Sequence, residues 1–121
     1  MDIAVSIEKE YSLVRLSGRL DATQAAKLTE ALQKALREGP PSLVLDCTDL
    51  SYVASMGLRC FLLAQKGTQE AGGNLVFFGL NDNVRSVFSM TAFDKIVLVR
   101  ANLQDSLASL GEKPCGAFST P

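Results

Sequence analysis

The chain has 121 residues, 47% of them hydrophobic, and its 12 basic and 13 acidic side chains leave a net charge of −1. That length supports one modest core and no second, and the dispersed charge gives no electrostatic footprint for nucleic acid or an anionic membrane. Histidine is absent, which removes Ser-His-Asp and Cys-His nucleophile activation together with the commonest metal ligand.

Residues Ile3, Val5 and Ile7 alternate with Ala4, Ser6 and Glu8, and a second apolar run from Tyr11 to Leu16 ends at Gly18. This pattern predicts a hairpin or an adjacent strand pair. From Thr23 the period changes. Ala25, Ala26, Leu28, Leu32, Ala35 and Leu36 fall on one stripe, opposite Gln24, Lys27, Glu30, Gln33, Lys34 and Arg37. The segment reads as an amphipathic helix capped by Asp21 or Thr23 and stopped by Gly39-Pro40-Pro41.

Leu43-Val44-Leu45 is a short continuous apolar run, as in a strand buried on both faces, followed at Asp46 by a turn through Thr48-Asp49. A second helix is expected to bury Leu58, Phe61, Leu62 and Ala64, expose Lys66, Gln69 and Glu70, and end at Gly72-Gly73. Leu75 to Phe78 reads as the next buried strand. Asn81-Asp82 then opens a third helix with Val84, Val87, Phe88, Ala92 and Phe93 inward, and Ile96 to Val99 reads as a last strand. Asn102 caps a final helix carrying Leu103, Leu107 and Leu110, with Gly111 as its stop.

The order β-β-α-β-α-β-α-β-α predicts a single α/β domain over residues 1–111. Its central sheet is mostly parallel, with about five strands and about four helices, because strands joined through helices pair parallel by right-handed crossovers. Residues 112–121, small, polar and rich in Pro and Gly, are expected to form a disordered tail. In open α/β sheets the loops after the C-terminal strand ends gather on one edge and carry function. Here these are residues 18–21, 50–55 and 79–82.

Ser55 lies where an apolar strand turns over into a helix. Its hydroxyl is either a helix cap, the commoner use of serine at such a place, or a modifiable group. A phosphate there would meet unpaired N–H groups and the positive end of the helix dipole. Asp21 and Asp46 are the carboxylates nearest the same edge, with structural alternatives as a helix cap and a turn residue. Cys47, Cys60 and Cys115 match neither a disulfide framework nor a zinc site and read as packing or tail residues. Neither a Rossmann nor a P-loop glycine motif occurs, so no cofactor and no metal are expected.

No apolar run reaches the roughly 18–20 residues that span a bilayer, and Met1 to Val5 lacks a basic leader region. A cytoplasmic protein without membrane or nucleic-acid partners is expected.

Three segments together resemble the STAS domain family, and more narrowly its stand-alone bacterial anti-sigma factor antagonists. They are Gly18-Arg19-Leu20-Asp21 before an amphipathic helix, Leu43-Val44-Leu45-Asp46 leading to Val53-Ala54-Ser55-Met56-Gly57-Leu58-Arg59, and Gly73-Asn74-Leu75 through Asn81-Asp82-Asn83-Val84. The resemblance implies a partner switch in which Ser55 is the phosphoacceptor. An anti-sigma factor that is also a serine kinase phosphorylates it, and a PP2C-type phosphatase restores it. The unphosphorylated form captures the kinase and releases the sigma factor or other regulator, which this chain touches only indirectly. The chain itself is not an enzyme; Asp21, Ala54, Met56, Gly57 and Arg59 surround the acceptor as partner-binding residues.

Two positions depart from the family pattern, which usually places Asp immediately before the acceptor and Ser or Thr immediately after it. Here those positions are Ala54 and Met56. The missing carboxylate leaves two other readings open, a STAS scaffold that is not phosphorylated and a STAS module binding a small molecule or lipid. Met56 reads either as an exposed apolar anchor for the partner or as a lid folded back onto Leu58 or Tyr52.

Overall fold

The computed structural model describes residues 2–110. The predicted Gly111 stop, the 112–121 tail and Cys115 lie outside them. Five strands form one sheet in the order β1-β2-β3-β4-β5. They are β1 (Asp2–Ile7), β2 (Ser12–Leu20), β3 (Leu43–Val53), β4 (Leu75–Phe78) and β5 (Leu98–Arg100). Only the β1/β2 pair is antiparallel. Helices α1 (Ala22–Glu38), α2 (Ser55–Glu70) and α3 (Asp82–Met90) are the crossovers, α4 (Leu103–Ala108) follows β5, and a 3-10 turn spans Phe93–Lys95. The mostly parallel α/β architecture expected from the chain order is the one observed.

Because successive crossovers of one hand lie on one face, α1, α2 and α3 share a core with the inward side of the sheet. Leu28 and Leu32 of α1, Phe61 of α2 and Phe88 of α3 are packed there with Val14, Leu16, Leu43, Leu45, Leu75 and Phe77. Four rings form its aromatic centre, with centroids 4.8 Å apart for Phe61 and Phe77, 5.2 Å for Phe77 and Phe88 and 5.0 Å for Phe88 and Phe93. All three pairs meet edge to face, the arrangement that suits the ring quadrupole. Val44, Val76 and Leu98 neighbour one another in register outside that cluster, and α4 packs on the three strands that carry them.

Several sequence expectations are corrected. β2 runs past Gly18, which takes a φ of 99° inside the strand. β3 does not turn at Thr48-Asp49 but continues to Val53. It does so because Asp46 satisfies its own strand irregularity: Oδ1 accepts from the Thr48 N–H at 3.0 Å and hydroxyl at 2.6 Å, while Oδ2 receives Arg15 Nε at 3.2 Å. Two shifts of register between β2 and β3 absorb the extra β3 residues, as bulges do.

Ala26 and Leu62 are exposed rather than inward, and Val87 is only half-buried. The inward face of α2 consists of Gly57, Cys60, Phe61, Ala64, Gln65 and Thr68. Ala92 is exposed at a φ of 59°, reversing the chain between α3 and the 3-10 turn, and β5 begins at Leu98 rather than Ile96. Leu103, Leu107 and Leu110 of α4 are half-buried.

Candidate functional site around the start of α2

Leu20 and Val53 are register partners at the ends of β2 and β3, so Asp21 and Ala54, which follow them, emerge side by side on one sheet edge. The 18–21 and 50–55 loops of the sequence reading shrink to these single residues. Three hydrogen bonds fix the edge. Ala54 N–H donates to Leu20 O at 2.9 Å, Ser51 Oγ to Gly18 O at 3.0 Å, and Asn81 Nδ2 to Leu50 O at 3.0 Å. The last ties the start of α3 to the same corner.

Asp21 is the N-cap of α1, its Oδ1 accepting from Thr23 N–H at 3.0 Å and Thr23 Oγ1 at 2.6 Å. The Thr23 hydroxyl holds its carboxyl below the usual carboxylate range. The choice between Asp21 and Thr23 as cap therefore falls to Asp21.

Helix α2 begins differently. Its N-cap residue is Ala54, in extended conformation with no side-chain cap. Ser55 is the first helical residue and is exposed. The cap reading of Ser55 is thereby overturned: the hydroxyl sits one residue too late to cap, and it makes no hydrogen bond among the described residues. Gly57 and Leu58 N–H both reach Ala54 O, at 2.9 and 3.2 Å, and the N–H groups of Ser55 and Met56 have no acceptor among the described residues.

Gly57 is buried, and the reason is steric. A Cβ there would lie 2.7 Å from Leu20 Cγ and Cδ2 and 3.1 Å from Val53 Cγ1. Its lack of a side chain lets the first turn of α2 lie flat on the strand ends, so Gly57 shapes the surface from beneath. Met56 is 47% exposed, which favours the anchor reading over the lid. Arg59 is exposed one turn further along.

Two grooves run along α2. One of about 460 Å³ is lined by Ser55, Met56, Leu58, Arg59, Leu62, Thr91, Phe93 and Ile96. The other, of about 430 Å³, lies toward α1, where Met56, Arg59, Cys60 and Leu63 face Ala22, Ala25, Ala26 and Thr29. Met56 and Arg59 form the ridge between them. Leu62 and Leu63, 38% and 48% exposed, extend the apolar strip and were missed as surface residues. Adjacent helix positions lie about 100° apart, so with Phe61 and Ala64 inward the pair between them has to face out. Phe93 and Ile96 were missed as groove walls because no local signal places the 3-10 turn against α2.

Of the two described cysteines, Cys47 lies away from both grooves and Cys60 joins only as part of the wall toward α1. Cys47 is buried, and burial pushes its thiol far above the ordinary range. Cys60 donates to Ala25 O at 3.2 Å and accepts from Thr29 Oγ1 at 3.1 Å. Among the described residues no cluster of His, Cys, Asp or Glu could hold a metal ion, and no helix is long and apolar enough to cross a membrane.

A strand end turning directly into an uncapped helix, with an exposed serine at its first position, is set here in a five-stranded mixed sheet. The Mlab, STAS domain family model matches residues 3–100, and the chain belongs to the STAS domain family. It is 30% identical over 103 residues to the anti-sigma-B factor antagonist of Listeria monocytogenes, covering 83% of this chain and 90% of that protein.

Among solved structures, an anti-sigma factor antagonist from Mycobacterium paratuberculosis superposes with a TM-score of 0.82 at 22% identity, over 92% of this chain and 94% of that one. SpoIIAA in its unphosphorylated form gives 0.77 at 16% identity, over 89% and 94%. The phosphorylated form of the Bacillus SpoIIAA gives 0.70 at 16% identity, over 88% and 97%. At these identities the structural likenesses establish the fold.

Proposed function

We propose that this protein is an anti-sigma factor antagonist working in a phosphorylation-controlled partner switch, with Ser55 as the phosphoacceptor. The observation that carries the reading is the Ser55 hydroxyl itself, exposed, without a hydrogen-bond partner among the described residues, and set on the wall of an apolar groove. The name of the Listeria relative supports the partner class.

The partner is an anti-sigma factor with serine kinase activity. It supplies ATP and Mg²⁺, and its γ-phosphoryl group passes to Ser55 Oγ as the bond to ADP breaks and the hydroxyl proton leaves. A PP2C-type phosphatase restores the hydroxyl by hydrolysis, water taking the phosphoryl group and inorganic phosphate leaving. This chain is a passive substrate and a docking surface in the cytoplasm, and Asp21, Ala54, Met56 and Arg59 ring the acceptor.

Phosphorylation adds a charge of about −1.5 to −2 at a point where two N–H groups lack acceptors. The fold accommodates it, whereas a partner pressed against the groove does not. Ser55→Asp is therefore expected to keep its circular dichroism spectrum while losing about 2–5 kcal/mol of binding to the kinase. Intact-mass analysis after incubation with the cognate kinase and ATP tests the site directly. One added phosphate, absent from Ser55→Ala, supports the assignment, and phosphate persisting in that variant would falsify it.

A second reading, a STAS scaffold that is never phosphorylated, is favoured by Ala54, which leaves the acceptor without a neighbouring carboxylate. Full-length protein that gains no mass with the cognate kinase, yet still binds it, identifies this case.

A further inference from the structure

We propose that Arg59 is the built-in counter-ion of phosphorylated Ser55, so that modification both places a phosphate at the partner surface and withdraws the arginine from it. The inference rests on the proposed role of Ser55 and concerns what the fold does once the phosphate is there.

Ser55 and Arg59 are four residues apart on α2 and line the same groove. Side chains on a helix slope toward its N-terminus, which brings a guanidinium at position 59 within reach of a phosphate on Ser55. An anion N-terminal to a cation at this spacing is the favourable order, and a guanidinium matches two phosphate oxygens at once.

Arg59 is available for this pairing. It is exposed and makes no ion pair or hydrogen bond among the described residues. No acidic residue occupies the first turn of α2, and none lines the Ser55 groove. The competing carboxylate is Glu30 of α1, which lines the second groove together with Arg59. Asp94 and Lys95 lie between the groove walls Phe93 and Ile96 but do not line the groove. Asp21 shares the sheet edge with Ala54, but its Oδ1 is engaged by the Thr23 N–H and hydroxyl, and the charged side chain that lines the Ser55 groove is Arg59.

The consequence is a switch with two coupled parts. In the unphosphorylated chain Arg59 stands on the ridge between both grooves, free to meet a partner's carboxylate. In the phosphorylated chain the same guanidinium is folded onto the phosphate, and the ridge loses its cation.

The test installs phosphoserine at position 55 by genetic encoding, so the result does not depend on any kinase. Four full-length proteins are compared: unmodified and phosphorylated, each with Arg59 or with Arg59→Gln. The phosphorylated Arg59 protein is expected to titrate its phosphate about 0.3 pH unit lower by ³¹P NMR than the Arg59→Gln form. Its Tm is expected to be about 2 °C higher relative to the same substitution in the unmodified background. Arg59→Lys, which keeps the charge but loses the fork, should fall between them. Identical ³¹P titrations in the Arg59 and Arg59→Gln proteins overturn the pairing, as does a Tm effect of equal size with and without phosphate. Failure of the kinase to modify Ser55 would instead count against the proposed function and leave this outcome standing.

Discussion

The helices of this fold start in two ways. Asp21 caps α1, Asn81 caps α3 through Val84 N–H at 2.8 Å, and Asn102 caps α4 through Asp105 N–H at 2.8 Å. Helix α2 begins on Ala54, which caps nothing. At each of the three capped starts one backbone N–H is taken by the cap side chain, Thr23 in α1, Val84 in α3 and Asp105 in α4. At α2 no side chain takes a donor, and a hydroxyl without a hydrogen-bond partner among the described residues stands at its first position.

Replacing Gly57 should show how tightly the open start is set on the strand ends. Gly57→Ala drives a methyl into Leu20 at 2.7 Å, and a loss of about 1–3 kcal/mol in urea unfolding is expected. No loss would mean that the first turn of α2 shifts freely, and the contrast with α1 would then be one of packing as well as capping.

Met56→Ser removes the apolar ridge without touching the core. Partner affinity is expected to fall by about 1 kcal/mol or more, with Tm nearly unchanged because Met56 is 47% exposed. A lower Tm at full affinity would return Met56 to the role of a core lid.

Ala54→Asp converts the open start into a capped one. It should stabilise the unmodified protein by about 0.5–1 kcal/mol, and the phosphorylated protein by less, since the new carboxylate repels the phosphate. Equal gains in both states would show that phosphate and cap do not compete for the same N–H groups.

The smallest effect belongs to the middle of β3. Burial raises the Asp46 carboxyl, but the Thr48 hydroxyl and N–H and the Arg15 guanidinium outweigh it and hold the group below its usual value of 3.8. The stabilisation is thus present above the unfolded value and is lost as pH falls through the folded one. Acid unfolding curves of Asp46→Asn should lose part of their slope below about pH 4.

The sequence made the helices and their caps readable because a 3.6-residue stripe and an Asx residue before it are both local signals. Asn81 and Asn102 were identified on that basis, and Asp21 as one of two candidates with Thr23. The length of β3 was not readable, since Asp46, Thr48 and Asp49 look like a turn until Arg15 on the neighbouring strand is in place. The place of Ser55 at a strand-to-helix junction was readable, whereas Met56 was left open between anchor and lid and Arg59 came only from the family resemblance. The groove beside them was not readable, because Phe93 and Ile96 reach α2 only through the left-handed reversal at Ala92.

Phe93 belongs to two environments at once, as a wall of the Ser55 groove and as one of four rings in the core. Its ring meets those of Phe61, Phe77 and Phe88. Anything that seats in the groove and tilts that ring is therefore audible in the aromatic NMR signals of Phe77 and Phe88, which do not line the groove, giving the surface an unlabelled reporter buried beneath it.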